Sequence, residues 1–335
     1  MKIYGLGIIS LAILVGSCSS DSEQPCVFIP SSPPEVQLSF QSLEDSLPGV
    51  TSKKQLVDYF DRHITQRDFF FNRTAYPDDS LFINTSFRKF SHPSIDTLLM
   101  ETKNVFGKGE ELKKEFELAF SHLRYYYPDY PLPKIETVIT GLESDLFVSD
   151  SVILVGLDYF LGKKAKYRPN MYDYILRRYE KNFVVPSALL LIGIDGRINS
   201  TNVQDKTVLA DMITYGKAFY FAKHMLPCVA DSVFLGYTAE EVKGAYANED
   251  IIWKRLVEDE VFFNTSQRIK QKYIAERPKT YEVGDQCPGR IGMWVGWQIV
   301  SAYMKQHPEV TLPELMQTSD AQKIFKESKY RPDKP

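Results

Sequence analysis

Apolar side chains recur at helical spacing along Val203–Pro227. The pattern predicts one long, mostly buried helix at the centre of the fold. Asp211 falls on an apolar side of this helix, where an ionised carboxylate is costly unless it is paired. We therefore expect Asp211 either to have a buried partner or to line a cleft. The apolar positions that define the helix are Val208, Leu209, Met212, Ile213, Tyr215, Phe219, Tyr220 and Ala222.

Most of the remaining patterns are also helical, and only two short runs favour strands. Lys134–Thr140 and Ser151–Asp158 are rich in Ile and Val, and we expect them to pair antiparallel through Gly141–Asp150. Val184–Ile194 is apolar throughout, so its periodicity leaves a helix and a buried strand both open. The sequence thus predicts a predominantly helical α+β fold with a small antiparallel sheet and a long central helix.

Further helices are predicted by their caps and by their spacing. Thr238 followed by Glu241 is a capping-box pattern, and the helix it begins extends to about Glu260. In the last long helix Gly292 and Gly296 stand four residues apart and so face one way. Small residues there allow another element to approach closely.

The first residues are typical of an export signal rather than of a fold. Lys2 precedes the apolar run Ile3–Val15, which is too short to span a bilayer, and Leu14–Cys18 resembles a bacterial lipobox. We therefore predict a signal peptide over residues 1–17 and acylation of Cys18. The alternative is an ordinary secretory signal with an incidental cysteine. Residues 18–35 are rich in Ser, Pro and acid and predict a flexible tether, followed by a single globular domain over residues 36–335.

Three cysteines remain after Cys18, and an exported compartment permits disulfides. Because three is an odd number, at most one pair can form within the chain. Cys228 with Cys287 is one option, which the sequence does not prove.

Composition and motifs exclude several classes of function. Net charge is −3 with 25% charged residues, which argues against a nucleic-acid binder. The five histidines show no HExxH or other common zinc spacing, and GxSxG, GxGxxG and the P-loop pattern are absent. We predict neither a metal site nor a cofactor.

Several short motifs together resemble the GldB family, the gliding-motility-associated lipoproteins of Bacteroidetes. They are Asp211–Lys217, Gly236–Thr238, Asn248–Glu249, Trp253 and Pro288–Gln298, and the resemblance covers most of residues 35–320. The family in turn looks like a remote relative of zinc-protease-like domains, which implies a zincin-like fold.

Carried over by position, this second likeness implies a degenerate site. Asp211 and Tyr215 stand where the two zinc-binding histidines would be, Met212 where the catalytic Glu would be, and Glu249 at the downstream Glu. Met212 cannot act as a general base, and this donor set is poor for zinc. Catalytic residues are therefore not assigned. We expect Asp211, Tyr215, Glu249 and Arg290 to line a former active-site cleft that binds a partner.

The resemblance implies a lipid-anchored protein of the cell envelope that faces the periplasm, from the inner or the outer membrane. It would support a gliding or protein-export apparatus by binding envelope proteins, with the lipid bilayer reached through acylated Cys18. An enzymatic role is left open, although the non-enzymatic interpretation is favoured. The alternatives are a divergent peptidase-like hydrolase, with or without a metal, and a lipoprotein that captures peptides or glycans.

Overall fold

The computed structural model describes residues 26–332. The predicted signal peptide over residues 1–17 and the lipidation site Cys18 lie outside the described residues. In the described part no helix is both long enough and apolar enough to cross a bilayer.

Helices dominate the fold, as predicted. The first six are α1 (Lys53–Arg62), α2 (Asp79–Phe90), α3 (Ser94–Phe106), α4 (Glu110–Tyr126), α5 (Asp173–Leu176) and α6 (Val184–Ile194). The others are α7 (Val208–Met225), α8 (Asp231–Leu235), α9 (Ala239–Ala247), α10 (Glu249–Glu258), α11 (Gln267–Tyr273), α12 (Ile291–Gln306), α13 (Leu312–Gln317) and α14 (Ala321–Ser328). A π-helical turn occupies Gln66–Phe70, and 3-10 turns occupy Arg73–Ala75, Leu157–Phe160 and Lys181–Phe183. The apolar run that left two options open is therefore helix α6.

The small sheet is mixed, so the predicted antiparallel pairing was wrong. Its strands are β1 (Phe40–Ser42), β2 (Lys134–Val138), β3 (Leu146–Val148) and β4 (Val152–Gly156), in the order β1-β2-β4-β3. Strands β2 and β4 are parallel, with Ile135 opposite Ile153, whereas β3 is antiparallel to β4. The chain between the two predicted strands forms β3 and takes the hairpin position beside β4, which leaves β2 to pair with β4 in parallel.

The predicted central helix is α7, and it begins at Val208, five residues after the start of the apolar pattern. Thr207 caps it, since its hydroxyl accepts a hydrogen bond from the amide of Ala210 at 3.2 Å. Helices α4, α6, α12 and α14 pack around it. This neighbourhood explains why α7 has hardly any solvent-exposed face and why its buried side chains include Lys217, Lys223 and His224.

Glycines let α7 and α12 cross in close contact. A Cβ on Gly296 would lie 1.9 Å from the carbonyl oxygen of Met212, and one on Gly216 would lie 2.3 Å from the carbonyl oxygen of Gly296. Both contacts involve backbone, which cannot move aside as a flexible side chain can. Gly292 allows a different approach, because a Cβ there would lie 2.9 Å from the carbonyl oxygen of Tyr273. The predicted close approach is thus present at both glycines, against two different elements.

The chain from residue 26 onward is held against the domain, which corrects the prediction of a flexible tether for residues 26–35. Cys26 forms a disulfide with Cys228 at the end of α7. Farther along, the hydroxyl of Ser121 donates to the carbonyl of Pro34 at 2.6 Å, and the amide of Leu38 donates to Glu117 at 3.1 Å. The segment therefore runs along α4 towards the end of α7.

This disulfide also corrects the suggested pairing of Cys228 with Cys287. Cys287 precedes α12 and lines a cavity beside Gly244 and Asn248, and it is the free thiol among the described cysteines. Cys26 was not predicted as the partner because the Ser- and Pro-rich composition around it is typical of a segment unattached to the domain.

Candidate functional site

Asp211 has the partner that its position on α7 requires. Its Oδ2 lies 2.7 Å from Nζ of Lys270 on α11, and the Asp211 side chain is 34% exposed. The carboxylate also lines a cavity of about 360 Å³. It contacts a cation within hydrogen-bonding distance and still reaches an open space.

We call this cavity the polar cleft. It lies beside the N-terminal half of α7 and is closed on its other sides by the 200–206 segment, by α11 and by the connection between α13 and α14. Three lysines and two aspartates line it together with hydroxyl groups. The lining includes Ser200, Asn202, Asp205, Lys206, Asp211, Thr214, Lys217, Lys270, Thr318 and Ser319.

Lys217 also lines the cleft, although it was not among the predicted site residues. Its side chain is almost fully buried, and Nζ donates hydrogen bonds to three backbone carbonyls. The acceptors are Ser200 at 2.8 Å, Thr318 at 2.9 Å and Met316 at 3.1 Å. Burial lowers the pKa of Lys217 to about 7.

These three bonds fasten α7 to two separate walls of the cleft. The three donors of an ammonium group match the three carbonyls. A lysine inside an otherwise apolar helical run was the signal that could have identified this position.

Tyr215 interacts electrostatically with two of the other predicted residues. It is half-buried, and its pKa is raised mainly by burial and further by the carboxylate of Asp211, while the Arg290 guanidinium acts in the opposite direction. Tyr215 is therefore in the electrostatic neighbourhood of both residues. It is not among the residues that line the polar cleft.

Arg290 fastens the turn that leads into α12. The residue has a positive φ of 60°, and its Nη2 donates to the carbonyl of Leu235 at 2.6 Å. Its Nε lies 3.6 Å from the carboxylate of Glu276. Tyr237 strengthens the same junction by donating to the carbonyl of Gly289 at 2.6 Å. Burial, followed by the nearby Arg178, lowers the pKa of Arg290.

Glu249 contacts a different part of the molecule. It is the first residue of α10, and its carboxylate accepts a hydrogen bond from the hydroxyl of Tyr330 near the C-terminus. The Tyr330 ring packs edge-on against Trp253, with centroids 5.2 Å apart. Asp211 and Glu249 thus have different partners, and of the four predicted residues Asp211 is the one that lines the polar cleft.

A second cavity, of about 430 Å³, is lined by aromatic residues. Tyr126, Tyr127 and Tyr130 contribute to it, together with two prolines and with Arg197, which pairs with Asp150 and Asp195. We call it the tyrosine cavity. In neither cavity, nor elsewhere within residues 26–332, are three or more His, Cys, Asp or Glu side chains close enough to hold a metal ion.

Fold and site together define a helical α+β protein whose buried central helix carries a polar cleft near one end and a disulfide at the other. The chain belongs to the family of gliding motility protein GldB, whose family model matches residues 30–332. Neither the curated proteins nor the solved structures include a match. The predicted likeness to zinc-protease-like domains therefore stays a prediction.

Proposed function

We propose that this protein is a lipid-anchored component of the cell envelope that supports the gliding apparatus by binding other envelope proteins through the polar cleft. Membership of the gliding motility family supports the first part. The Cys26–Cys228 disulfide supports it as well, because disulfides persist in oxidising, exported compartments and are rare in the cytosol.

The polar cleft is the observation that carries the binding role. It presents hydroxyls, two carboxylates and the ammonium groups of Lys206 and Lys270 around a space of about 360 Å³. These groups supply both hydrogen-bond donors and acceptors, as the backbone and polar side chains of a peptide segment require. We infer binding rather than proton transfer because Asp211 is paired with Lys270 and Lys217 already donates to three carbonyls.

Photo-crosslinking in cells tests the cleft. A benzophenone amino acid replaces Val203, which is 67% exposed at the rim, and the matched control replaces Tyr281, which is 56% exposed in the loop before α12. We expect a defined crosslinked product from position 203 and not from position 281.

A blocking variant connects this product to function. Ser319→Trp places a large ring in the cleft, so both the product and colony spreading should be lost while the protein level stays unchanged. Normal spreading with a blocked cleft would contradict the proposed role.

The lipid anchor is tested separately by Cys18→Ala. This variant should fail to incorporate an alkyne-labelled fatty acid and should leave the membrane fraction. Density-gradient separation of the parent protein would then assign it to the inner or the outer membrane.

The tyrosine cavity favours a second candidate function, the capture of a peptide or glycan. Three tyrosines present rings beside polar groups, an arrangement that suits ligands with both apolar and hydrogen-bonding surfaces. Calorimetric titration with soluble envelope oligosaccharides and with proline-rich peptides tests it. Binding should weaken at least about tenfold in Tyr130→Ala, which corresponds to about 1.4 kcal/mol.

A further inference from the structure

The described chain begins at a point that is fastened to the C-terminal end of α7. Besides the disulfide of Cys26 with Cys228, the amide of Val27 donates to the carbonyl of Pro227 at 3.4 Å. The ring of Phe28 stacks on His224 with centroids 4.0 Å apart and planes inclined by 11°. Residues 26–28 are therefore fixed at one end of the central helix.

The proposed lipid attachment is close to this point along the sequence. Eight peptide units separate Cys18 from Cys26, so the distance between their Cα atoms is at most about 29 Å at ~3.6 Å per residue. A domain of this size has a radius of gyration of about 19 Å and hence a diameter of about 50 Å. A link shorter than the domain diameter keeps the attached side of the domain towards the membrane.

Exposed apolar side chains lie on this side. Phe28 is 44% exposed, Ile29 is 64% exposed and Tyr125 is 39% exposed. Tyr125 adjoins Tyr126, with ring centroids 5.0 Å apart, and the Tyr126 hydroxyl donates to the carbonyl of Phe28 at 3.5 Å. We call Phe28, Ile29 and Tyr125 the anchor face. Aromatic side chains with one polar end are favoured at the headgroup level of a bilayer.

The polar cleft lies towards the other end of the same helix. Asp211 precedes His224 by thirteen residues, which is about 20 Å along a helix axis at ~1.5 Å per residue. Phe263 marks that far end: the neighbouring Phe262 and Asn264 accept hydrogen bonds from the amides of Leu209 and Val208, at 2.9 and 2.8 Å.

We propose that the Cys26–Cys228 disulfide fixes the orientation of the protein on the membrane. The anchor face contacts the headgroup region of the bilayer, and the polar cleft points away from it. This inference rests on the proposed acylation of Cys18. The position at which the lipid-bearing segment joins the domain therefore determines which surface is available to partners.

Fluorescence quenching by brominated lipids tests the orientation. The mature protein, acylated at Cys18, is placed in phosphatidylethanolamine–phosphatidylglycerol vesicles with brominated acyl chains. Tyr125→Trp reports on the anchor face, and Phe263→Trp, at a position that is 60% exposed, is the matched control at the far end of α7. Subtracting the parent spectrum removes the emission of the native tryptophans.

We expect the emission of the tryptophan at position 125 to be quenched at least about twofold and that at position 263 to be unchanged, because lipid bromines quench only at close range. Equal quenching at both positions, or quenching at neither while the protein floats with the vesicles, would overturn the orientation. Failure to float would instead refute the lipid anchor of the proposed function.

The role of the disulfide is tested in the Tyr125→Trp protein by replacing Cys26 and Cys228 with serine. Quenching at position 125 should fall because residue 26 is no longer fastened to the end of α7. Unchanged quenching would assign the orientation to the apolar patch alone and overturn the role of the disulfide. The comparison between positions 125 and 263 leaves the disulfide intact, so it decides the orientation even if the double variant does not fold.

Discussion

The two ends of α7 hold buried ionisable groups in opposite ways. Towards the N-terminal end, Lys217 donates to three carbonyls and Asp211 pairs with Lys270 beside an open cleft. Near the C-terminal end, His224 is enclosed by the rings of Phe28, Tyr126 and Tyr220. Beside the cleft the carboxylate of Asp211 stays partly exposed, whereas near the C-terminal end His224 is packed among aromatic rings, with its Nδ1 2.8 Å from the carbonyl of Tyr220 in the same helix.

A helix that is buried on nearly all sides can thus still present different chemistry at its two ends. We call the C-terminal end of α7 around His224 the aromatic end. Lys223 lies there too, with its ammonium 2.7 Å from the carbonyl of Val229 and 3.1 Å from Asp231. Its charge is thus neutralised locally, and the side chain lines neither the polar cleft nor the tyrosine cavity. What packs against each end, and not the helix itself, therefore decides whether a charged side chain lines a cleft or ties two segments together.

Substitution at the crossing of α7 and α12 should have the widest effect, because it disrupts both ends of α7 together. Gly296→Leu would drive a side chain into the backbone of Met212, so we expect a loss of about 3 kcal/mol or more in the free energy of unfolding. Urea unfolding of the unacylated mature chain measures it.

Gly244→Ala on α9 is the matched control. A Cβ there meets nothing within 4 Å, and alanine should stabilise the helix by up to about 1 kcal/mol. Equal effects of the two substitutions would show that the crossing tolerates a separation of the helices.

Removal of the disulfide should lower the stability of the whole domain and, in the folded state, loosen the aromatic end. Cys26→Ser opens a loop whose ends are 202 residues apart, and we expect a loss of about 4 kcal/mol. Cys287→Ser is the control, because this thiol is free among the described cysteines. Hydrogen exchange should increase in the C-terminal turns of α7 and at the end of α4. Faster exchange confined to the polar cleft would contradict this assignment.

Acid should weaken the aromatic end through His224. Burial lowers its pKa to about 4, from 6.5 in an unperturbed histidine. The unfolded chain therefore binds this proton at a higher pH than the folded chain does. The contribution is complete above pH 6.5 and is lost as the pH falls towards 4, by about 3 kcal/mol at ~1.4 kcal/mol per unit.

His224→Gln should remove this dependence, and His92→Gln, at an exposed position, should retain it. Unfolding free energies at several pH values between 4 and 7 provide the measurement. A steep loss that persists in His224→Gln would assign the effect to another group, such as the buried His122, whose pKa burial also lowers.

Raising the pH should increase the stability that Lys217, beside the polar cleft, contributes to the fold. Burial lowers its pKa from 10.5 to about 7, so stability from this group is lost as the pH falls through that interval and regained as it rises. Lys217→Met leaves three carbonyls without their donor, and we expect a loss of about 2 kcal/mol at pH 7. The advantage of the wild type should grow between pH 7 and 10. Lys54→Met, at an exposed position, should show neither effect.

The central helix could be predicted because a long helical repeat of apolar residues is recognisable without knowing which elements pack against it. The sequence also predicted the close approach at Gly292 and Gly296 and the capping box at Thr238, which are local signals. The predicted pairing of β2 with β4 is present, but its antiparallel direction was wrong because a short strand, Leu146–Val148, forms the antiparallel hairpin with β4 on the other edge. Nothing in the local pattern of β2 or β4 shows that a third strand takes the hairpin position.

The candidate site was predicted only in part, for a related reason. Asp211 was recognised as a carboxylate on an apolar helix, and the structure provides Lys270 from a helix 59 positions later in the chain. Lys217 and Cys26 acquire their roles from contacts with distant backbone or a distant thiol. Glu249 was grouped with Asp211 by resemblance, whereas the fold gives it Tyr330.

The smallest expected effect is that of the ion pair between Asp211 and Lys270, and its size shows whether the pair mainly stabilises the fold or serves partner binding in the polar cleft. Asp211 is one-third exposed, so its ion pair with Lys270 is partly screened and should contribute about 0.5–1 kcal/mol to stability. A double-mutant cycle with Asp211→Asn and Lys270→Met measures that coupling by urea unfolding. If the cleft binds partners, Asp211→Asn should reduce crosslinking from position 203 far more than its small change in stability explains. A coupling above about 3 kcal/mol would instead show that the pair holds α7 to α11 as a buried structural element.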